Sequence, residues 1–309
     1  MDPLTYRTVM ANGIDFEVSV SNEGGERGLA LLLHGFPECA FSWRFQIPML
    51  AEMGYEVWAP NMRGYGGTSK PPAVSDYHID LLLADIGSLV DVSGHEQVVL
   101  VGHDWGAAIA WMAAIRQVRP LQRLIIMNVP HPTPFQRELR SFRQLRRSWY
   151  ALFFQIPWLP EKLLGARDAR AIGRAFHQMA VDKSRFPTDV TDVFRASALQ
   201  PGALKAMVNY YRASVRDRKR SRHEELPAVE TPTLMLWGVA DTALSIETTY
   251  GTSDHVADLT LRYLDDVSHW VQQEAPEKVN AMMRAWLDDD IVPEQSEMSV
   301  ERLADPALG

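Results

Sequence analysis

The sequence predicts an α/β protein with a mostly parallel central sheet, helices on both faces of the sheet, and an inserted segment made only of helices. Two observations predict this architecture. Short apolar runs, typical of strands buried on both faces, alternate with amphipathic helical patterns over most of the chain. The alternation stops between residues 131 and 222, where amphipathic helical patterns follow one another without a convincing strand.

Local signals place the individual elements. Residues 7–20 predict a hairpin, because apolar residues flank Asn12-Gly13, a dipeptide that favours a type I′ turn. The continuous apolar run from Leu29 to Leu33 predicts a central strand. Further strands are predicted at 55–59, 97–101, 121–127, 233–237 and 259–264, and helices at 45–53, 77–92, 105–116 and 276–287.

Proline-marked boundaries divide the chain into three parts. Residues 1–130 are predicted to form the first half of the core, residues 131–224 a helical cap, and residues 225–309 the second half of the core. The insertion begins in a segment with three prolines and ends near Leu226-Pro227. The tail after Asp290 is polar and aperiodic, and we expect it to be frayed.

Composition and charge limit the classes of function. The chain has 309 residues, of which 46% are hydrophobic, so it can bury a large core. A net charge of −8 argues against a nucleic acid or an anionic membrane as partner, and basic runs at 137–147 and 216–222 are interpreted as solvated helix faces. No apolar run has the length of a membrane span or the pattern of a signal peptide. A single cysteine, Cys39, fits a reducing compartment, so we expect a cytoplasmic protein. The sequence is compatible with a monomer or a homodimer.

The segment Gly102-His103-Asp104-Trp105-Gly106 carries the strongest functional signal. It follows a predicted strand and precedes a predicted helix, and a glycine stands two places on either side of its central residue. This is the pattern of a nucleophile elbow, a tight turn with no room for side chains at the two glycines. The tip holds an aspartate, which is ionised near neutral pH and needs no base to activate it. Asp104 is therefore the predicted nucleophile, and its attack on an electrophilic carbon gives an ester.

An oxyanion hole is predicted beside this nucleophile. The loop His34-Gly35-Phe36-Pro37 directly follows the strand at 29–33, where one of its backbone amides can donate a hydrogen bond to an oxyanion. The residue after the nucleophile supplies the second donor in such sites. We therefore expect the amides of Phe36 and Trp105 to form the hole.

A histidine and a second acid complete the predicted catalytic set. His269 lies on a loop beyond the strand at 259–264, and it is predicted to activate the water that attacks the ester. Asp241 follows the strand at 233–237 and is predicted to orient this imidazole; Asp265 and Asp266 are rivals that lie very near His269 in sequence. The other histidines have no metal-ligand spacing, so no metal and no cofactor are predicted.

Over nearly its full length the chain resembles the epoxide hydrolases of the α/β-hydrolase fold. The resemblance rests on three motifs, His34–Glu38, Arg63–Ser69 and Gly102–Ala107. The first and third are similar to those of haloalkane and fluoroacetate dehalogenases as well. Some relatives carry the orienting acid after the strand that leads into the cap, where this chain has Asn128, and this favours Asp241. The resemblance implies an α/β-hydrolase fold, with a small-molecule epoxide and water as partners.

The resemblance also implies two ring-opening tyrosines in the cap. In this family two cap tyrosines hydrogen-bond the epoxide oxygen, and a neutral phenol can pass a proton to a nascent alkoxide. Tyr150 resembles the first of them and Tyr211 the second, whereas Tyr210 is assigned to packing. The substrate cleft is predicted to be lined by His34, Pro37, Trp105, Phe153 and Phe154. Trp149 and Trp158 are expected to line this cleft too, rather than to face a membrane.

Other classes of protein fit the motifs less well. A haloalkane dehalogenase shares the attack by aspartate but holds a halide with N–H donors; Trp105 could supply one, and Phe36 stands where the second is often found. A fluoroacetate-type dehalogenase would have arginine in place of Trp105, and an esterase would have serine in place of Asp104. A non-catalytic binding protein would not need the complete set of groups. Epoxide hydrolysis is the leading hypothesis, and haloalkane dehalogenation is the alternative.

Overall fold

The computed structural model describes residues 4–139, 141–220 and 226–295. It contains a single eight-stranded sheet with strands β1 (Tyr6–Ala11), β2 (Ile14–Ser21), β3 (Leu29–Leu33), β4 (Glu56–Pro60), β5 (Val98–His103), β6 (Arg123–Met127), β7 (Thr233–Gly238) and β8 (Leu259–Leu264). The order across the sheet is β1-β2-β4-β3-β5-β6-β7-β8. Strand β2 is antiparallel to both its neighbours, and every other pair is parallel. The predicted fold class, a mostly parallel sheet, is confirmed.

The first two strands form the predicted hairpin. Asn12 and Gly13 both have positive φ, 48° and 69°, as a type I′ turn requires. The register pairs Ala11 with Ile14 directly across this turn. The local dipeptide therefore fixes how the edge of the sheet begins.

The central strands are apolar on both faces because two cores cover them. In β3, Leu29, Leu31 and Leu33 pack into one core, and Ala30 and Leu32 pack into the other. Helices α2 (Ile79–Ser93) and α3 (Trp105–Ile115) cover the first face. The second face is covered by α1 (Gln46–Glu52), α10 (Val271–Glu274) and α11 (Pro276–Leu287).

The described residues between β6 and β7 form helices, turns and loops, and one isolated β-bridge that pairs Val229 with Val256. The α-helices, in chain order, are α4 (Pro132–Glu138), α5 (Phe142–Arg147), α6 (Trp149–Phe153), α7 (Leu159–Met179), α8 (Thr188–Ala198) and α9 (Ala203–Arg220). Helix α7 is interrupted at residues 166–169, where the backbone leaves the helical conformation. The predicted end of the cap at residue 224, and most of the predicted polar tail, lie outside the described residues. None of the described helices has the length and apolar composition needed to cross a membrane.

The parallel strands bring the predicted site residues to one edge of the sheet. Strands β5, β6 and β7 are neighbours, and their carboxyl ends pair in register. Asp104, Asn128 and Asp241 follow these three ends, and His269 follows β8. Polar side chains far apart in sequence therefore meet at this edge.

Candidate active site

Asp104 occupies a strained turn between β5 and α3. Its backbone has φ 48° and ψ −120°, a conformation that residues with side chains rarely adopt. A Cβ on Gly106 would lie 2.0 Å from the carbonyl oxygen of Leu33, and a Cβ on Gly102 would lie 2.6 Å from Cα of Ala107. Only glycine fits at these two places, so the sequence folds into the turn that its glycine spacing predicts.

The carboxylate of Asp104 lies between the loop after β3 and the loop after β8. The amide of Phe36 donates a hydrogen bond of 2.7 Å to Oδ1, and Oδ2 lies 3.5 Å from Nε2 of His269. A Cβ on Gly35 would lie 2.2 Å from Cβ of Asp104, so this close approach needs glycine. Trp105 is the first residue of α3, and its amide belongs to the turn whose N–H groups have no acceptor within the helix.

Asp241 holds the imidazole of His269 from the side opposite to Asp104. Its Oδ2 lies 2.7 Å from Nδ1 of His269 and accepts a hydrogen bond of 2.8 Å from Nδ2 of Asn128. Its Oδ1 accepts hydrogen bonds from the amides of Ala243, at 2.7 Å, and Leu244, at 2.9 Å. Four donors, Nδ1 of His269 among them, thus fix the carboxylate, which keeps a proton on Nδ1 and directs Nε2 to Asp104.

Other acids and histidines do not compete for this place. The rivals Asp265 and Asp266 are exposed, whereas Asp241 is buried. Within the described part of the chain, no group of three or more His, Cys, Asp or Glu residues is arranged to hold a metal ion. The geometry therefore brings together Asp104, Asp241 and His269, the three residues that the sequence predicts for this set.

Two carboxylates act on a single imidazole. Burial would lower the pKa of His269, but the charges of Asp241 and Asp104 raise it above its ordinary value of 6.5. Burial would raise the pKa of each carboxyl group, and the neighbouring imidazole instead brings both below their usual value. The site thus holds an imidazolium between two carboxylates, and loss of either negative charge would make the proton easier to remove.

Two tyrosines of the helical segment lie over the elbow. The rings of Tyr150, on α6, and Tyr211, on α9, are 5.8 Å apart and nearly perpendicular. The ring of Tyr211 also lies 5.0 Å from that of Trp105 and 5.4 Å from that of Phe36. Burial, and after it the charge of Asp104, raises the pKa of both phenols above their ordinary value of 10.0. Both hydroxyl groups are therefore protonated and able to donate hydrogen bonds.

The neighbouring Tyr210 has a different environment. Its hydroxyl donates a hydrogen bond of 2.8 Å to the carbonyl oxygen of Arg63, and its ring packs against Tyr65 and Tyr77. Tyr210 therefore anchors α9 to the core. Although the ring of Tyr210 also lies 5.6 Å from that of Trp105, its donor is already used. Tyr211 instead packs against Phe36 as well as Trp105.

Comparison with known proteins agrees with this arrangement. The α/β hydrolase fold family matches residues 30–276. The chain is 35% identical to Epoxide hydrolase 4 of Homo sapiens over 291 residues, which cover 92% of this chain and 79% of that protein. The chain belongs to the epoxide hydrolases of the α/β-hydrolase fold.

Further members of the family are similar along nearly their full length. Epoxide hydrolase A of Mycobacterium tuberculosis is 32% identical, with 92% of this chain and 97% of that protein covered. The chain is also similar to the crystal structure of an epoxide hydrolase from Bacillus megaterium in complex with an inhibitor, with a TM-score of 0.84 and 29% identity. The match covers 91% of this chain and 100% of that chain. The similarity extends through the helical insertion as well as the sheet.

In this epoxide hydrolase His34 contacts the backbone rather than open space. Nδ1 donates a hydrogen bond of 2.9 Å to the carbonyl oxygen of Gly35, and Nε2 accepts one of 3.0 Å from the amide of Met62. Burial lowers the pKa of His34 to about 4, so the ring is neutral. Both nitrogens are occupied, which does not fit the predicted contact with substrate; the ring braces the oxyanion loop instead. Pro37, the other predicted contact of this loop, is buried.

The epoxide hydrolase also has a buried network that sequence reasoning missed. Nδ1 of His103 lies 2.7 Å from Oε2 of Glu38, and its Nε2 lies 2.8 Å from the carbonyl oxygen of His269. Glu38 also accepts hydrogen bonds from the amide of Gly35, at 3.0 Å, and from Gln273, at 2.7 Å. The network joins the oxyanion loop to the histidine loop. No local pattern signals it, because its members come from separate strand ends.

A second missed residue, Arg212, joins the helices that carry the two tyrosines. Its guanidinium donates hydrogen bonds to the carbonyl oxygens of Phe154, at 3.0 Å, and Ile156, at 2.7 Å. It also forms a two-pronged ion pair with Glu161, at 2.6 and 3.2 Å. Arg212 follows Tyr211 directly on α9, so these bonds fix the end of α6 against α9.

The aromatic residues of α6 and the turn after it separate into two groups. Phe154 is 5% exposed, and its ring lies 4.8 Å from that of Tyr211 and 5.5 Å from that of Phe36. Phe153 is half-buried beside it. Trp149 and Trp158 are 62% and 66% exposed, so the expectation that they line the cleft is wrong. Helical spacing alone indicates an aromatic face but not which side of the helix is covered.

Proposed function

We propose that this epoxide hydrolase converts an epoxide and water to a vicinal diol through a covalent ester on Asp104. The observation that carries the proposal is the placement of two neutral phenols, Tyr150 and Tyr211, over an ionised carboxylate with its own histidine and acid. Residues 1–130 and 225–309 form the core in this proposal, and residues 131–224 form the cap that supplies the phenols. We place the enzyme in the cytoplasm, in keeping with its single, buried cysteine.

The first step is attack by the carboxylate on a ring carbon. The amide of Phe36 holds Oδ1 of Asp104, so Oδ2 forms the bond to carbon. As the ring carbon–oxygen bond breaks, negative charge develops on the epoxide oxygen. Hydrogen bonds from Tyr150 and Tyr211 stabilise this charge, and one of the two phenols supplies the proton that gives the alcohol.

The second step is hydrolysis of the ester by water. Ester formation removes the charge of Asp104, one of the two charges that raise the pKa of His269, so the imidazolium can release its Nε2 proton. That proton passes through solvent to the phenolate left by the first step, and the neutral imidazole then acts as the base. Asp241 keeps Nδ1 protonated and Nε2 free for the water. The oxyanion forms on Oδ1, where the amide of Phe36 already donates and the amide of Trp105 is the proposed second donor. Its collapse breaks the bond between Cγ and Oδ2 of Asp104, so Oδ2 leaves with the diol, which takes the proton held by His269, and the oxygen of water stays in the carboxylate.

The lining of the site favours an apolar epoxide. Phe154, Val208 and Tyr211 form a small buried cluster, and Phe36, Trp105, Tyr150 and Phe153 pack against it. Apolar walls with a few placed polar groups are typical of small-molecule sites. We propose that Trp105, Phe153 and Phe154 contact the apolar part of the substrate.

A single turnover in ¹⁸O-water, with enzyme in excess, tests the mechanism. The first diol should be unlabelled, and mass spectrometry of the peptide that contains Asp104 should find the label in its carboxylate. Label in the first-turnover diol would mean that water attacks the epoxide directly, and the proposal would be wrong.

A substrate panel tests the reaction class. At least one of styrene oxide, cyclohexene oxide and a long-chain fatty epoxide should be turned over, whereas brominated alkanes and p-nitrophenyl esters should not. Turnover of bromoalkanes without turnover of any epoxide would replace the proposal with a haloalkane dehalogenase. Tight binding of an epoxide with no turnover of any compound would indicate a non-catalytic protein.

A further inference from the structure

A strongly exposed apolar surface lies on the outside of the helical insertion. Trp149, Leu152, Ile156 and Trp158 are 62%, 70%, 43% and 66% exposed, and we call these four residues the cap surface. They lie within ten consecutive residues, and the spacing of Trp149 and Leu152 puts both on one face of α6. Apolar side chains that are exposed together mark an interaction surface more often than scattered ones do.

The backbone that presents the cap surface is fixed. Trp158 has φ 55°, a left-handed conformation that costs free energy in a residue with a side chain and persists only where surrounding contacts enforce it. Arg212 supplies those contacts, because it binds the carbonyl oxygen of Ile156 before Trp158 and the carboxylate of Glu161 after it. The exposed indole of Trp158 is therefore held outward by a braced turn.

The charge of this segment is opposite to that of the whole protein. Residues 146–174 contain six Arg or Lys residues and two Asp or Glu residues, a net of +4, whereas the chain has a net charge of −8. Nζ of Lys162 lies 6.0 Å from the centre of the Trp158 ring. Arg146 is exposed three residues before Trp149. Cations thus flank the cap surface on both sides in sequence.

We infer that the cap surface docks onto anionic lipid bilayers. Tryptophan lies readily at the headgroup level, exposed leucine and isoleucine insert into the acyl boundary, and flanking Lys and Arg attract anionic lipid. The net charge of the chain argues against such a partner, but the local charge of residues 146–174 has the complementary sign. Docking here would bring α6, which also carries Tyr150, close to apolar epoxides dissolved in the bilayer. This benefit rests on the proposed function, whereas the docking itself does not.

A second copy of the chain is the competing occupant of the cap surface. A two-fold contact would place the same patch against itself. The flanking Arg146 and Lys162 would then approach their own copies, and like charges across an interface oppose association. The basic flanks therefore favour an anionic bilayer over self-association.

Vesicle co-sedimentation of the full chain without substrate tests the inference. The protein should bind vesicles of phosphatidylcholine mixed with phosphatidylserine, and bind phosphatidylcholine alone much more weakly. The double variant Leu152→Gln/Trp158→Asn should lose about tenfold or more in binding, because it removes two inserted apolar groups. Asparagine is chosen at 158 because it tolerates the left-handed backbone. The charge variant Arg146→Glu/Lys162→Glu should lose about fivefold or more for each charge removed.

The matched control is Met10→Gln/Val92→Gln, which removes two apolar residues on β1 and α2 that are 71% and 52% exposed. It should bind vesicles as the unchanged protein does, and all variants should keep the circular dichroism spectrum of the unchanged protein, which shows that they fold. Absence of binding to either vesicle would overturn the inference, as would equal binding by the cap-surface variant and the control. A dimer in solution that Leu152→Gln/Trp158→Asn converts to monomer would assign the surface to self-association instead.

Discussion

Nδ2 of Asn128 donates a hydrogen bond of 2.8 Å to Oδ2 of Asp241, the oxygen that also contacts His269. Oδ1 of Asn128 in turn accepts a hydrogen bond of 2.9 Å from the amide of Gly238, so the end of β7 sets which way the side-chain amide points. Asn128 therefore donates to Asp241 from the position where some relatives carry the acid that orients the histidine.

We expect Asn128→Asp to slow hydrolysis of the ester by about ten- to a hundredfold, as is typical when the support of a catalytic group is lost. Two carboxyl groups would then face each other, so the pair would hold a proton and orient His269 less well. Rapid-quench measurement of ester formation and decay separates the two steps. Equal decay rates in variant and parent would show that Asn128 is only a packing residue.

Replacement of His269 should block the second step and affect the first less, because Asp104 loses the imidazolium that lowers its pKa but keeps the charge of His103 and the hydrogen bond from the amide of Phe36. His269→Gln is expected to accumulate an adduct with the mass of enzyme plus substrate. Asp104→Asn is the control and should form no adduct. If His269→Gln binds substrate but shows neither a burst of epoxide consumption nor an adduct, the histidine is needed for alkylation and the proposed division of roles fails.

The phenols should matter for ring opening and not for ester hydrolysis. Tyr150→Phe and Tyr211→Phe keep the ring packing, and each should slow alkylation by about one to three powers of ten, the usual effect of losing one positioned donor. Tyr210→Phe is the matched control: alkylation should be unchanged, while loss of the hydrogen bond to Arg63 should cost about 1 kcal/mol of stability. If Tyr210→Phe slowed alkylation and Tyr211→Phe did not, Tyr210 would be the ring-opening donor and Tyr211 the packing residue.

The pKa of His269 should fall when Asp104 loses its charge. Asp104→Asn removes one of the two carboxylates that raise this pKa, so the imidazolium should be lost at a lower pH than in the parent. Nitrogen-detected NMR titration of His269 measures the change. A raised folded-state pKa stabilises the fold below the unfolded value, near 6.5, and this contribution is lost as pH rises through the folded-state value. An unchanged titration would mean that Asp241 alone sets the pKa.

Arg212 should act on alkylation through the position of Tyr150. Lysine cannot form the two-pronged contact with Glu161 and also reach both carbonyl oxygens, so Arg212→Lys should let α6 move relative to α9 and slow alkylation about tenfold. Decay of the ester should be unchanged, because the residues proposed for that step lie outside α6 and α9. Arg195→Lys, another cap arginine bound to a carbonyl oxygen and a carboxylate, is the control and should have no kinetic effect.

Much of the fold could be predicted because its signals are local. The dipeptide Asn12-Gly13 fixes a turn, the run Leu29–Leu33 indicates a strand covered on both faces, and two glycines around Asp104 allow only one kind of turn. The positions of Asp241 and His269 follow from the same logic, since the loops after parallel strands meet at one edge.

Features that depend on distant partners could not be predicted. His34 belongs to a motif beside the nucleophile, yet its Nε2 accepts a hydrogen bond from the amide of Met62, 28 residues away. The pairing of His103 with Glu38 and the bracing by Arg212 join residues separated by more than 50 positions. The exposure of Trp158 depends in the same way on contacts that only the folded chain makes.

Asp104 and Asn128 share one backbone property: both have φ 48°, at the ends of the adjacent strands β5 and β6. Conformations of this kind cost about 1–3 kcal/mol each, and glycine would relieve the strain at either position. Asp104→Gly is thus expected to melt at a higher temperature than the parent while losing the ability to form an ester. Selection of this chain for heat resistance alone would favour the loss of its own nucleophile, so any programme to stabilise it must assay turnover alongside melting.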